Sequence, residues 1–110
     1  MERHDFRSAV ILGGSAVEQA ILKRLRQEYT SKTKFYRAKN NTQHRMLNGR
    51  FKCLFEKSIP IPVADYKKTI ITVRNSATHD GIRPSYAATK TCLENCKILI
   101  ETYNPDVLET

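Results

Sequence analysis

The sequence predicts an all-α protein, an antiparallel four-helix bundle that forms a single domain over residues 1–110. Three observations support this prediction. Apolar residues recur every three or four positions in four separate stretches, which is the spacing of one face of a helix. No stretch alternates apolar and polar residues as a half-buried strand would. The connections between the last three stretches are short, and short connections favour antiparallel neighbours.

The first and longest helix is predicted over residues 5–29, with Asp5 placed to cap its N-terminus. It carries two apolar stripes more than a quarter turn apart, which indicates burial on two sides, against a core and against a partner. Gly13 and Gly14 lower helix propensity in mid-helix, and the expected compensation is the close approach of another backbone. The first stripe comprises Phe6, Val10, Gly13, Val17, Ala20 and Ile21, and the second Ile11, Leu22, Leu25 and Tyr29.

The segment over residues 30–42 is polar and basic and predicts a loop. Phe35 and Tyr36 are expected to anchor this loop to the core, although aromatic side chains beside cations can also stack on nucleic-acid bases. A second helix is predicted over residues 43–58. It is expected to end at the Ile-Pro-Ile-Pro run of residues 59–62, because residues that precede proline leave the α region.

A third helix is predicted over residues 64–78 and a fourth over residues 84–103. Gly81 supplies a stop after the third helix, and Pro84 suits the first turn of the fourth. The apolar stripes of the last three helices are Leu47, Phe51, Leu54 and Phe55; Tyr66, Ile70, Val73 and Ala77; and Ala88, Cys92, Cys96, Leu99 and Tyr103.

The cysteines and the hydropathy pattern indicate a cytoplasmic protein. Cys53, Cys92 and Cys96 form an odd set without a paired framework, which is typical of a reducing compartment. No signal peptide and no run long enough to span a membrane is evident. Cys92 and Cys96 lie four apart and could supply two metal ligands, but no matching pair exists elsewhere, so core packing is the prediction for them. No metal or cofactor is expected.

The positive charge is concentrated in the first half of the chain. Residues 1–57 hold 13 Lys and Arg against 5 acids, whereas residues 58–110 hold 6 against 6, so the whole net charge of +8 comes from the first half. Such a basic surface favours a polyanionic partner, nucleic acid first and an acidic membrane surface second. A solubilising surface without a specific partner is the alternative.

The residues that carry chemistry lie near the end of the third helix. Arg74 can hold a phosphate bidentately, and His79 can exchange a proton near neutral pH. Asn75 and His79, four apart, share one helix face, but Arg74 and His79 are roughly 140° apart round an ideal helix. Either the helix opens near Thr78 or a second chain completes the site. The alternative is a solvated helix end whose histidine interacts with the helix dipole.

This pattern resembles the HEPN superfamily of small α-helical domains. Arg74-Asn75-x-x-x-His79 matches the family's Arg-polar-x-x-x-His signature at the end of the third helix. Residues 9–18, AVILGGSAVE, are similar to the family's usual start of helix one, and residues 81–85 and 104–106 are typical of its final helix. The second helix is shorter and the loop before it more basic than in the fullest versions of the family, which leaves the subfamily and the substrate open.

The resemblance implies a metal-independent endoribonuclease, of the kind found in toxin–antitoxin pairs, phage defence and RNA processing. Many such domains form homodimers in which two Arg–His motifs face one cleft. By the same resemblance, Arg74 holds the scissile phosphate, His79 acts as general acid or base, and Asn75 orients His79 or the phosphate. RNA supplies the attacking 2′-hydroxyl, and an antitoxin or regulatory partner is also implied. The cations expected to steer the RNA are Lys23, Arg24, Arg26, Arg37 and Arg83.

Two further interpretations stay open at this point. One is a non-catalytic HEPN-like module that binds nucleic acid or dimerises, because some domains of this family have lost activity. The other is a protein-interaction bundle that uses the second apolar stripe of the first helix. The chain is also compatible with one domain of a larger nuclease.

Overall fold

The computed structural model describes residues 5–28 and 47–104, and these residues are all-helical. No strand occurs within those two ranges, so the all-α prediction is confirmed for them. The loop predicted over residues 30–42, with Phe35, Tyr36 and Arg37, lies outside the described residues. The helices are α1 (Phe6–Arg26), α2 (Leu47–Glu56), α3 (Val73–His79) and α4 (Tyr86–Tyr103), and a π-helical segment (Lys67–Thr72) leads directly into α3.

The ends of α1 and α4 are set by local side-chain caps. Asp5 accepts a hydrogen bond from the backbone N–H of Ser8, which confirms the predicted cap of α1. Helix α1 ends at Arg26, three residues before the predicted end. At α4 the cap is Ser85, whose hydroxyl accepts from the N–H of Ala88 at 3.1 Å. Pro84 therefore precedes the cap, and the prediction that the helix begins at Pro84 was wrong by two residues.

Helix α2 ends before the prolines are reached. Ser58 has a left-handed φ of 57°. The N–H of Ile59 bonds to the carbonyl of Leu54, and the N–H of Ser58 bonds to that of Phe55, both at 3.0 Å. These two bonds form a Schellman motif, in which a left-handed residue closes the helix and returns the chain to the core. The end is thus set by this turn, two residues before Pro60.

The π-helical segment was not predicted. A π-helix closes its hydrogen bonds over five residues, so successive side chains are separated by a smaller angle than in an α-helix. Ile70 and Ile71, which are adjacent in sequence, are accordingly both buried. The predicted stripe of this helix is confirmed, since Ile70 and Ala77 are buried and Tyr66 and Val73 pack against the core, but Ile71 was missed.

Contacts between helix ends establish how the helices run. The rings of Phe6 and Tyr86 lie 5.9 Å apart near the start of α1 and α4, and Lys23 donates to Asn104 near their ends, so α1 and α4 are parallel. Arg7 near the start of α1 contacts Ala77 near the end of α3, whereas Glu18 further along α1 pairs with Arg74 near the start of α3, so α3 runs antiparallel to α1. Helices α3 and α4 consequently run antiparallel to each other, whereas α1 and α4 do not.

Helix α1 contacts each of the other helices described above and contributes six buried residues to the core. Leu25, predicted to lie on the second apolar stripe of α1, is buried in this core, while Ile11 and Leu22 of that stripe pack partly against it. Tyr29 of the same stripe lies outside the described residues. Leu12, in neither predicted stripe, is 69% exposed. The largest fully buried side chains are Phe51, Ile21, Leu47, Leu54, Ile70, Leu99, Val10, Val17, Thr89 and Cys92.

One predicted core residue of α2 is exposed. Leu47, Phe51 and Leu54 are buried as expected, but Phe55 is 76% exposed. Cys53 is buried in the core, although it was not assigned to the stripe. Among the helices of residues 5–28 and 47–104, none combines the length and apolar character needed to cross a membrane.

The end of α4 is tied to the segment between α2 and the π-helical turn. The hydroxyl of Tyr103 donates to the backbone carbonyl of Pro60 at 2.8 Å. Burial raises the pKa of Tyr103 to about 12, because the phenolate would lose solvation. The neutral tyrosine that this hydrogen bond needs is therefore retained in the folded state above the ordinary phenol pKa of about 10.

Candidate active site

Arg74 lies flat against α1 at the glycine pair. A Cβ placed on Gly14 would be 2.8 Å from Cγ of Arg74 and 3.3 Å from its Nε, so only glycine leaves room for this side chain. Gly13 faces α4 instead, where Cδ2 of Leu93 would be 3.0 Å and Sγ of Cys96 3.4 Å from an added Cβ. The predicted close approach to the two glycines is present. Side chains approach them, however, and the expected contact with another backbone was wrong.

The guanidinium of Arg74 is paired within the chain. Its Nη2 lies 3.1 Å from Oε1 of Glu18, and the side chains of Arg74 and Glu18 are only 13% and 19% exposed. Nε of Arg74 is buried and has no hydrogen-bond partner among the described residues. Removal of one partner of an ion pair at this depth destabilises the folded protein strongly, because the remaining charge is left uncompensated. Glu18 therefore fixes the position of Arg74 on α1.

His79 stands apart from Arg74. It is the last residue of α3 and is exposed, and its side chain makes no hydrogen bond or ion pair with another residue of the described ranges. The winding is α-helical throughout Val73–His79, so the helix does not open near Thr78. Arg74 and His79 thus remain about 140° apart round the helix. Asn75, partly buried, occupies the same face as His79, one turn earlier.

The chain turns sharply after His79. The N–H groups of Asp80 and Ile82 both bond to the carbonyl of Ser76 at 3.1 Å. Gly81 adopts a φ of 65°, the left-handed conformation that glycine accepts most readily. The predicted glycine stop is therefore confirmed, and it leaves the imidazole of His79 at an exposed helix end.

Two arginines gather at this end of the molecule. Nε of Arg7 donates to the carbonyl of Ala77 at 2.6 Å, which satisfies one of the free carbonyls at the end of α3. The guanidinium of Arg83 lies over the ring of Phe6 at 5.1 Å from its centroid, a cation–π contact. Sequence reasoning missed Arg7, because it belongs to no motif and only the packing of α1 on α3 brings it here.

The predicted nucleic-acid-binding cations fall into two groups. Arg83 lies near the end of α3, whereas Lys23, Arg24 and Arg26 lie in the last turn of α1. Arg7 and Lys23 are sixteen residues apart on α1, about 24 Å along its axis. In the second group, Lys23 donates to Oδ1 of Asn104 at 2.6 Å and Arg24 pairs with Glu28 at 2.5 Å. Arg37, the remaining member, lies outside the described residues.

The cysteines are packing residues in this structure. Cys53, Cys92 and Cys96 are all buried and free. The sulfur atoms of Cys92 and Cys96 are 4.0 Å apart, and this contact together with burial raises the pKa of the Cys96 thiol. Within residues 5–28 and 47–104, no group of three or more His, Cys, Asp or Glu side chains is placed to hold a metal ion.

The glycine pair allows a matched test of how tightly Arg74 is held. Gly14→Ala is expected to lower the free energy of unfolding by about 1–3 kcal/mol, because the new methyl group meets the inner part of the Arg74 side chain. Gly13→Ala is expected to be nearly neutral, since the end of the Leu93 side chain can shift and alanine favours the helix by about 1 kcal/mol. Urea unfolding of both variants measures the difference. Equal stabilities would contradict the close packing of Arg74 on Gly14.

Comparison of the chain with protein-family models, with curated protein sequences and with solved structures finds no match. The resemblance to the HEPN superfamily accordingly depends on the residues themselves, the Arg74-Asn75-x-x-x-His79 pattern above all.

Proposed function

We propose that the protein is a metal-independent endoribonuclease of HEPN type that acts as a homodimer. The observation that carries the proposal is the exposed imidazole of His79 at the end of α3, one helical turn after Asn75 and five residues after Arg74. A proton carrier, an amide and an obligate cation are the groups needed to cleave a phosphodiester through the 2′-hydroxyl of RNA.

In the proposed reaction, the 2′-oxygen attacks the adjacent phosphorus while a general base accepts its proton. The bond from phosphorus to the 5′-oxygen breaks, and a general acid protonates the leaving oxygen. His79 serves in one of these two roles, and a guanidinium stabilises the charge that develops on the phosphoryl oxygens. The products are a 2′,3′-cyclic phosphate and a 5′-hydroxyl. DNA, which lacks the 2′-hydroxyl, is not a substrate.

A second copy of the chain resolves the geometric problem of the motif. Arg74 and His79 point to different sides of α3, so one chain alone does not direct both at one phosphate. In the proposed homodimer, Arg74 of one protomer and His79 of the other meet in a shared cleft. Glu18 then acts as a positioning residue, since it holds Nη2 of Arg74 while the guanidinium keeps further N–H donors for a phosphate.

The test is incubation of purified wild-type and His79→Ala protein with mixed cellular RNA in EDTA, followed by analysis of the ends produced. We expect cyclic-phosphate and 5′-hydroxyl ends from the wild type alone, because general acid–base catalysis contributes about 10²–10⁴-fold to the rate. Cleavage by His79→Ala at the wild-type rate would overturn the proposal, and so would cleavage that EDTA abolishes.

The second candidate function is a non-catalytic module that binds nucleic acid or dimerises. The pairing of Arg74 with Glu18 favours it, because a guanidinium already neutralised by a carboxylate binds phosphate less strongly. RNA that stays intact, combined with salt-sensitive binding of the same RNA, would support this candidate. A protein-interaction bundle would dimerise without any affinity for nucleic acid. The second apolar stripe of α1, its predicted contact surface, is however buried at Leu25 and packs partly against the core at Ile11 and Leu22.

The proposal includes a cellular role, which is taken from the resemblance to the HEPN superfamily. A ribonuclease of this kind acts in the cytoplasm as a toxin or phage-defence effector, where an antitoxin or another regulatory partner restrains it. The proposal does not depend on a fully antiparallel bundle, since α1 and α4 run parallel; it needs only that the helices pack round one core and that a second copy pairs with them.

A further inference from the structure

A shallow groove lies between α2 and the start of the π-helical segment, at a distance from His79. Its volume is about 270 Å³. Tyr66 and His79 are thirteen residues apart on one continuous helical stretch, about 20 Å along its axis. The groove is lined by Asn48, Phe51, Lys52, Phe55, Tyr66 and Lys67, and we refer to it as the α2 groove.

Aromatic rings form the body of the α2 groove. Phe51 is buried and stacks on Tyr66 with ring centroids 4.3 Å apart and an interplanar angle of 15°. Phe51 therefore covers one face of the Tyr66 ring and holds that ring in place. Phe55, one turn of α2 further on, is 76% exposed, which is unusual for so large an apolar side chain. The ring of Phe55 is therefore accessible to a ligand in the groove.

The polar side chains of the α2 groove are cationic or neutral. Lys52 and Lys67 are exposed, one on each of the two helical elements that form the groove, and Asn48 adds an exposed amide. Among the described residues that line it, none is acidic. A complementary ligand would carry a flat ring, which stacks on the aromatic side chains, and a negative charge next to that ring, which pairs with the lysines.

We propose that the α2 groove binds single-stranded RNA, with one base stacked on Phe55 and Tyr66 and the neighbouring phosphates held by Lys52 and Lys67. Stacking on aromatic side chains accepts any base, and lysines track the backbone in such sites. A duplex is a poor ligand, because its bases are already stacked and paired. The groove volume, near the lower limit of ordinary ligand sites, suits one base at a time.

The cations of α1 lie at the same end of the molecule. Lys23 in the last turn of α1 donates to Asn104, the residue after Tyr103, and the hydroxyl of Tyr103 donates to the carbonyl of Pro60 in the segment that joins α2 to the π-helical segment. Lys23, Arg24 and Arg26 of that turn extend the positive surface beyond the groove. The inference goes beyond the proposed catalytic motif, because it assigns binding to a surface about 20 Å from His79 and does not require cleavage.

The first experiment uses the absence of tryptophan from the sequence. Phe55→Trp places one tryptophan in the α2 groove, and its fluorescence is recorded during titration with a single-stranded 2′-O-methyl RNA oligonucleotide, which cannot be cleaved through the 2′-hydroxyl. We expect quenching that saturates, and much weaker quenching by a duplex of the same length. An unchanged tryptophan signal, at concentrations where fluorescence anisotropy of a labelled oligonucleotide shows binding, would overturn the proposal.

The second experiment measures the affinity of variants for the labelled 2′-O-methyl strand. Phe55→Ala is expected to weaken binding by about tenfold, as the loss of one stacked base does. Lys52→Gln and Lys67→Gln are expected to weaken it and to reduce its salt dependence. The matched controls are Leu12→Ala and Lys90→Gln, which alter exposed residues of α1 and α4. Equal losses in the controls, or none in the groove variants, would overturn the proposal.

The outcomes separate this inference from the proposed ribonuclease. Because the strand is uncleavable and the readout is binding, loss of cleavage in His79→Ala leaves both experiments unaffected. If the protein cleaves RNA but the tryptophan fluorescence is not quenched, only the proposed RNA binding in the α2 groove is contradicted. If the tryptophan fluorescence is quenched but ordinary RNA is not cleaved, only the proposed ribonuclease activity is contradicted.

Discussion

A mixture of Arg74→Gln and His79→Ala proteins is expected to regain about a quarter of the wild-type rate of RNA cleavage, although each variant alone is nearly inactive. The reason is the proposed exchange of residues across a two-fold axis. In a heterodimer of the two variants, one of the two composite sites loses both groups and the other keeps both. Random pairing makes half of the dimers heterodimers, each with one intact site of two.

The measurement is the cleavage rate of a labelled RNA in EDTA, after the two variants are unfolded together and refolded. The Arg74→Gln change leaves an amide that can still donate to Glu18, so that the fold is disturbed less than by alanine. Thermal unfolding of each variant checks this point. A mixture as inactive as its components would show that each site takes Arg74 and His79 from the same chain, and the composite dimer would be wrong.

Phe51→Ala is expected to lower the free energy of unfolding by about 3–5 kcal/mol, the largest stability effect that we predict for this chain. Phe51 is 1% exposed, packs in the core beneath α1 and supports Tyr66 by ring stacking. Its removal leaves a cavity and takes away that support. For a chain of 110 residues, whose total stability is of the order of 10 kcal/mol, a loss of this size is severe.

Phe55→Ala is the matched control, because it makes the same change on the same helix one turn later. Phe55 is 76% exposed, so its removal is expected to change the free energy of unfolding by less than about 0.5 kcal/mol. Urea unfolding followed by circular dichroism compares the two variants. Comparable losses would show that Phe55 is buried in solution, and this would also remove the exposed ring on which the α2 groove depends.

Local patterns in the sequence were sufficient for the helices and several of their ends. The spacing of Val10, Val17 and Ile21 predicts the buried face of α1, and that of Cys92, Cys96 and Leu99 predicts the buried face of α4. Caps and turns depend on side chains and φ angles within a few residues. Asp5 and Gly81 could therefore be identified without any knowledge of the fold. The motif residues were found in the same way, as a short spacing on one helix.

Features that depend on winding and direction were not predictable from local spacing. The 3.6-residue period assigns Phe55 to the core stripe of α2 and excludes Ile71 from the buried face of the third helix. In the structure Phe55 is exposed, because this side of α2 is turned away from the core. Ile71 is buried, because the π-helical segment winds more widely than an α-helix. Small changes of helix rotation move a side chain between core and solvent without changing the sequence pattern.

From the sequence alone follow the all-α character of the described residues, most of their buried faces, the excess of positive charge in residues 1–57 and the presence of Arg74, Asn75 and His79 on one helix. What each of these groups faces depends on the packing of the helices. This packing pairs Arg74 with Glu18 over Gly14, brings Arg7 to the end of α3 and separates Lys23 from Arg83. These contacts join residues that are distant in sequence, and the pattern within any one helix therefore does not specify them.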